Sequence, residues 1–292
     1  MSTIIQQFVN GLTLGSVYAL LALGYTMVYG ISKLINFAHG DIYMLGAFFG
    51  YWLIKYLHCG FLVTIILAMA FSALCGVLIE FIAYRPLRNS PRITVLITAI
   101  GVSYFLENIM TYFFSADTRS FPQVISQVTY HFSFFQITNI QLLIIVTTII
   151  LLVGLNLIIH KTKVGRSMRA ASADPDAALL MGINLNRTIS ITFALGSALA
   201  GAGGVLIGMY YNAIDPTMGL TPGIKAFVAA VLGGIGSIPG AALGGILIGF
   251  LETLAQSVGL SAYKDAVVYA LLFLILLVMP AGILGKNQVE KV

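Results

Sequence analysis

Ten acidic residues are all that this chain of 292 carries. Five of them, Asp41, Glu80, Glu107, Glu252 and Asp265, fall inside or beside strongly apolar segments. A charge at the centre of a bilayer costs at least about 2.5 kcal/mol, so each must face protein, water or an interface. Glu80 close to Arg85, and Asp265 beside Lys264, read as interfacial ion pairs. Glu252 sits near the outer end of its segment. Glu107, followed by Asn108, is the deepest and reads either as lining a solute pathway or as part of a satisfied structural pair. Asn36-Phe37-Ala38-His39-Gly40-Asp41 opens another apolar segment. His39 and Asp41 are two apart, do not share a helix face and make a poor metal pair. Asn36 or Asp41 is expected to cap the helix start, with Gly40 allowing close packing. Asn36 and His39 join Glu107 and Asn108 as candidate pathway residues.

No other pattern suggests chemistry. The glycine-rich run Gly233–Gly240 lacks the Lys-Ser/Thr ending of a phosphate loop. No Ser/His/Asp or Cys/His arrangement points to hydrolysis, and no catalytic residue, metal or cofactor is expected. Cys75 lies within an apolar run and Cys59 at a segment edge, which implies neither a disulfide framework nor a metal site.

The elements that must position these groups are membrane spans. Apolar residues make up 59% of the chain and charged residues 9%, far below the quarter usual in soluble domains. Stretches near 9–31, 35–55, 61–83, 93–114, 140–159, 188–211 and 265–284 are each long enough to span the bilayer's apolar core. A split hairpin is expected near 223–235 and 239–258, either as a cytoplasmic turn or as a re-entrant break shielded by protein. The fold class is therefore all-α, a polytopic bundle of about eight spans forming a single transmembrane domain over residues 1–292. With the N-terminus outside and the C-terminus inside, 11 of the 15 basic residues, Lys286 and Lys291 among them, fall in the cytoplasm, as the positive-inside rule favours. The net charge of +5 then reads as an orientation signal and not as a nucleic-acid surface. Residues 1–32 hold no Lys or Arg, so the first stretch is expected to be a retained span without a basic leader.

Small residues recur at helix-packing spacing: Gly11/Gly15, Gly46/Gly50, Gly240/Gly244, Gly245/Gly249, and the ridge Gly196, Ala200, Gly204, Gly208. Leu14-Gly15-Ser16 with Ala19 is echoed by Leu195-Gly196-Ser197 with Ala200, in spans of opposite direction, as an inverted repeat requires. Residues 115–139 form the main external segment, whose β-branched and aromatic run Val124–Ile137 reads as a short surface hairpin or as an interfacial aromatic loop.

Lys161–Arg187 is the longest run that is neither span nor loose loop. Basic residues crowd its start (Lys161, Lys163, Arg166, Arg169). Asp174 can cap a helix with Pro175 at its first position, Ala177 and Ala178 favour the helix, and Gly182 can end it. A capped helix in a basic cytoplasmic loop implies a docking partner. If the chain moves solute uphill, another chain must supply the energy.

Several motifs together resemble the membrane permease subunits of bacterial ABC importers for branched-chain amino acids. They are Gly11-Leu12-Thr13-Leu14-Gly15-Ser16-Val17-Tyr18-Ala19-Leu20, Asn36–Asp41, Tyr84-Arg85-Pro86-Leu87-Arg88, Gly165-Arg166-Ser167-Met168-Arg169-Ala170, Gly182-Ile183-Asn184 and Gly233–Gly240. The resemblance covers essentially the whole length. It implies an inner-membrane subunit that moves leucine, isoleucine or valine. It also implies a heterodimer with a second homologous permease, two cytoplasmic ATP-binding subunits, and a periplasmic amino-acid-binding protein. Lys161–Arg187 becomes the segment that couples to the ATPase, through Arg166, Arg169, Ala170, Ala171, Asp174, Pro175, Ala177, Ala178 and Gly182. This sequence departs from the widespread Glu-Ala-Ala…Gly coupling pattern: Arg169 stands where Glu would precede Ala170-Ala171. The alternative reading is a secondary transporter or channel driven by an ion gradient, which would want several buried ionisable groups.

Overall fold

A computed structural model describes residues 2–88, 90–132 and 135–285, so Lys286 and Lys291 of the charge count lie outside the described residues. Eleven α-helices carry the described chain: α1 (Ser2–Ser32), α2 (His39–Leu57), α3 (Phe61–Ile79), α4 (Arg92–Phe114), α5 (Asn139–Lys161), α6 (Lys163–Ala173), α7 (Pro175–Leu180), α8 (Leu185–Tyr211), α9 (Leu220–Gly233), α10 (Ile238–Ser257) and α11 (Lys264–Val278). Seven of the helical segments are long and apolar enough to cross a membrane. They contain α1, α3, α4, α5, α8, α10 and α11. The 19-residue α2 and the 14-residue α9 complete the bundle.

Burial divides these helices into two kinds. α1 and α8 are enclosed almost all round, and Leu20 through Leu23 of α1 are 0% exposed. Outer helices bury one stripe only. In α3 it is Thr64, Ala68, Ser72 and Gly76, and in α4 it is Val95, Ala99, Ser103 and Glu107. This four-residue spacing is a single helix face. Their remaining apolar side chains point outward, as lipid contact requires.

Close approach between α1 and α10 comes from glycines. A Cβ on Gly15 would lie 2.7 Å from the Ile246 Cα, and one on Gly11 would lie 2.8 Å from the Phe250 Cα. Small residues from both helices thus let the backbones touch, which is how helices associate where no hydrophobic force acts. Gly76 of α3 meets Ser197 of α8, and Gly201 of α8 meets Ser72 of α3, so α8 packs on α3 in the same manner.

That pairing develops the short repeat seen in the sequence. The order α1–α2–α3–α4 is repeated as α8–α9–α10–α11. The first residues of α2 and α9 are separated by the same stretch of chain as Leu14 and Leu195. α1 and α8 run antiparallel, since Gly24 meets Gly196 while Val17 meets Gly203. Each half gives its third helix to the first helix of the other half.

One expected boundary moves. The second span was placed at 35–55, but Leu34–Phe37 lie outside any helix and α2 begins at His39. The His39 ring packs on Gly24, well before the end of α1. α2 therefore starts beside α1 about two turns before that end. The start of α9 converges on the same place, where Gly219 and Gly223 pack against Gly40. α9 is thus a half-length helix with an interior N-terminus, joined to α10 by a tight turn in which Gly234 and Gly236 have φ of +102° and +91°. Its last carbonyls are not orphaned: Ile283 N–H donates to Leu232 O at 2.9 Å and Leu284 N–H to Gly233 O at 3.0 Å.

The long segment between α4 and α5 holds a hairpin. Strand β2 (Thr129–His131) pairs antiparallel with β3 (Gln136–Thr138); Ser133 and Phe134 of that segment lie outside the described residues. A second pair was not expected: β1 (Arg119–Ser120) joins β4 (Ala213–Ile214) across the two halves.

Candidate functional site

The basic segment after α5 forms two helices. Thr162 caps α6, accepting from the Gly165 N–H at 3.1 Å. Gly165, Met168 and Ala171, at three-residue spacing, are buried on one face. Ser172 Oγ donates to the Gly30 carbonyl of α1 at 2.7 Å, and the Arg169 guanidinium donates to the Ile159 carbonyl of α5. Both bonds fasten the C-terminal half of α6 to the bundle.

α7 follows as the sequence predicts. The Asp174 carboxylate accepts from the backbone N–H groups of Asp176 and Ala177, at 3.0 and 2.9 Å, and Pro175 takes the first position. Gly182 (φ +80°) ends the helix, and Ile183 N–H reaches back to Ala178 O at 3.0 Å. Among the expected coupling residues, Ala171 and Ala178 are buried and Ala170 is half-buried. Arg166, Arg169, Asp174, Pro175, Ala177 and Gly182 are exposed. Three apolar side chains stand out at the tip: Leu179, Leu180 and Met181 are 58%, 87% and 83% exposed. Their signal was present as an apolar triplet beside a helix stop in a charged loop.

The expected pathway residues divide. Asn36, His39 and Glu107 are buried, as is Asp41. Asn36 does not cap α2. Its Oδ1 accepts from the Tyr84 hydroxyl at 2.8 Å, and the N-cap is Ala38, with no side-chain bond. The His39 ring meets Tyr25 edge-on at 4.8 Å. His39 Nε2, Asp41 Oδ2 and Glu107 Oε1 are buried without a hydrogen-bond partner. Asn108 sits on the outer face of α4, with its amide donating to the Tyr104 carbonyl at 2.7 Å, so it does not join the interior group.

Two charge clusters differ from the expected pairs. Glu80 pairs with Arg88 and accepts from Ser190 Oγ of α8 at 2.6 Å. Arg85 instead lies over the Phe81 ring. At the other cluster Lys225, 1% exposed, reaches Glu252 at 2.9 Å and Asp265 at 2.6 Å. Glu252 also pairs with Lys264 at 2.8 Å and accepts from the Tyr18 hydroxyl of α1 at 2.8 Å. Two cations and two carboxylates neutralise one another with a phenol as fifth member, which is what a buried ionic group needs. The clue was Lys225 itself, a lysine inside the apolar run of α9.

A family model described as the permease component of the branched-chain amino acid transport system matches residues 7–276. The chain is 44% identical to the high-affinity branched-chain amino acid transport system permease protein LivH of Escherichia coli K12, covering 99% of this chain and 97% of that one. It is 45% identical to the corresponding permease BraD of Pseudomonas aeruginosa, over 99% and 98%. It is 30% identical to a probable branched-chain amino acid transport permease LivH of Methanocaldococcus jannaschii, over 92% and 88%. No solved structure matches the chain.

Proposed function

The chain belongs to the permease-component family of branched-chain amino acid transport systems, and from that membership we propose how its parts share the work of an ATP-driven importer. It is a multi-pass membrane transport subunit. In the proposed assembly residues 1–292 act as one permease domain in the inner membrane, N-terminus outside, moving leucine, isoleucine or valine. A second homologous permease completes the membrane pair, a periplasmic binding protein delivers the amino acid to the side bearing residues 115–139, and two cytoplasmic subunits hydrolyse ATP.

The observation that carries the coupling role is the tip of the 161–187 segment. Leu179, Leu180 and Met181 project from a capped helix whose neighbour α6 is pinned to α1 and α5. Exposed apolar side chains on a rigid base suit a groove in a soluble partner better than they suit water. Arg166, Arg169, Asp174 and Pro175, all exposed, are proposed to share that contact. For the path, Asn36, His39 and Glu107 are the proposed lining, and Asn108 is left out because it faces outward.

The test is co-purification. Replacing 170–181 with a flexible linker of equal length is expected to abolish recovery of an ATPase with the chain and to stop leucine uptake. Unchanged recovery and uptake would sink the coupling role.

A further inference from the structure

A cavity lies where α1, α5, α6 and the α9–α10 turn meet. Its volume is about 80 Å³ and it is partly open to the surface, room for several water-sized groups at about 10–15 Å³ each. The walls are mainly aliphatic: Met27, Ile31, Ile159, Met168 and Ile238. Three polar groups converge on them. Thr26 Oγ1, on a residue 1% exposed, is buried with no hydrogen-bond partner. Ser172 lines the wall. Arg169 lines it too, and only its Nη1 is engaged, by the Ile159 carbonyl, which leaves the rest of the fork for an anion.

Gly30 is the independent sign that this space is kept open. Gly11, Gly15 and Gly24 of α1 are held against neighbouring atoms, and a Cβ on any of them would collide. A Cβ on Gly30 would find only the Gly236 Cα at 3.7 Å and Ser172 Oγ at 4.0 Å, ordinary contact distances. Glycine within a helix costs about 0.5–1 kcal/mol relative to alanine. At Gly30 helix packing does not require it. What its missing side chain leaves is the cavity.

We propose that this cavity binds a branched aliphatic carboxylate, with the carboxylate on Arg169 and Thr26 and the branched tail against the aliphatic wall. The ligand of that class available to this protein is its own transported amino acid, arriving from the side on which α6 lies, so the proposal rests on the function given above. An occupant would touch α1 and α6 together. It would hold α6 in place and oppose movement of the α7 tip, so the accumulated amino acid would slow its own import.

The experiment uses the whole transporter complex, purified with this chain and reconstituted with its binding protein outside and ATP inside. Vesicles are loaded with leucine, with 4-methyl-2-oxopentanoate, or with buffer. Internal leucine at millimolar concentration is expected to slow initial leucine uptake at least three-fold. A similar effect of the oxo acid assigns the site to carboxylate plus branched tail; an effect of leucine alone assigns it to the amino acid. Gly30→Leu, which fills the cavity, should reduce the slowing to less than 1.5-fold while uptake into empty vesicles is unchanged. Equal slowing in wild type and Gly30→Leu, or none in wild type, overturns the proposal. Labelled-leucine binding to the solubilised complex without binding protein gives a second readout: Gly30→Leu should remove a binding site at unchanged thermal stability. That loss would support the cavity even where no vesicle transports, an outcome that would count against the transport reading alone.

Discussion

Glu80 and Glu252 are counterparts. Each lies at or near the end of the third helix of its half. Each accepts a hydroxyl from the first helix of the other half, Ser190 of α8 for Glu80 and Tyr18 of α1 for Glu252. Each is ion-paired to a cation just before or at the start of the fourth helix, Arg88 or Lys264. Because α1 and α8 are antiparallel, the two clamps sit about 18 Å apart along the bundle, twelve residues at 1.5 Å each. They tie the bundle at two separate levels.

The Glu252 clamp should be unforgiving of single changes. Glu252→Gln leaves Lys225 buried with Asp265 as its one carboxylate, and breaking such a cluster costs about 3–5 kcal/mol. Lys225→Met with Glu252→Leu removes both buried charges together and should cost less than the sum of the two single changes. Thermal unfolding of the detergent-solubilised variants reads the difference. Additive losses would argue against the pairing.

Gly15→Val should be strongly destabilising, because its Cβ would meet the Ile246 backbone 2.7 Å away. Overpacking of this kind costs about 1–3 kcal/mol or more. Gly101→Ala, where nothing lies within 4 Å of the added Cβ, should be neutral or gain about 0.5–1 kcal/mol from helix propensity. Melting temperatures of the two variants, measured side by side, should fall for Gly15→Val and hold or rise for Gly101→Ala.

At the coupling tip, Leu180→Ser with Met181→Ser should leave the melting temperature unchanged, since both side chains are almost fully exposed. Leucine uptake should nevertheless fall at least ten-fold, together with ATPase recovery. Asp174→Ala removes the cap of α7 at a local cost of about 1 kcal/mol and should give an intermediate loss. Depleting ATP should stop uptake in the wild type, whereas a gradient-driven carrier would continue.

Glu107→Gln should lower transport several-fold without affecting assembly, and Asn108→Leu should leave both unchanged because Asn108 faces outward. Uptake of wild-type rate in Glu107→Gln would return that residue to a structural role.

Much of this was legible because it is local. The α7 cap, its proline and its glycine stop are a contiguous signal, and so were the apolar lengths of most spans. The break at Leu34–Phe37 was hidden because Leu34, Ile35 and Phe37 are as apolar as a span; α2 begins where Gly40 packs against Gly219, far along the chain. Sequence proximity paired Glu80 with Arg85 and gave Glu252 no partner, whereas the fold sets Arg88 on Glu80 and brings Lys225 and Tyr18 to Glu252. Burial of Lys225 has a sequence signal, its apolar neighbours, but no spacing rule names its carboxylates.

The exchange of third helices has a consequence for how the protein is made. α1 is synthesised first, yet the backbone that fills its glycine face, α10, follows roughly 230 residues later. At translation rates of about 5–20 residues per second, that interval lasts on the order of ten seconds or more. During it, the Gly11–Gly15 groove of α1 stands open in the membrane to any helix that can approach it. Membrane-inserted chains truncated before α10 should therefore be seized by other helices or degraded, and maturation should end with one late docking step.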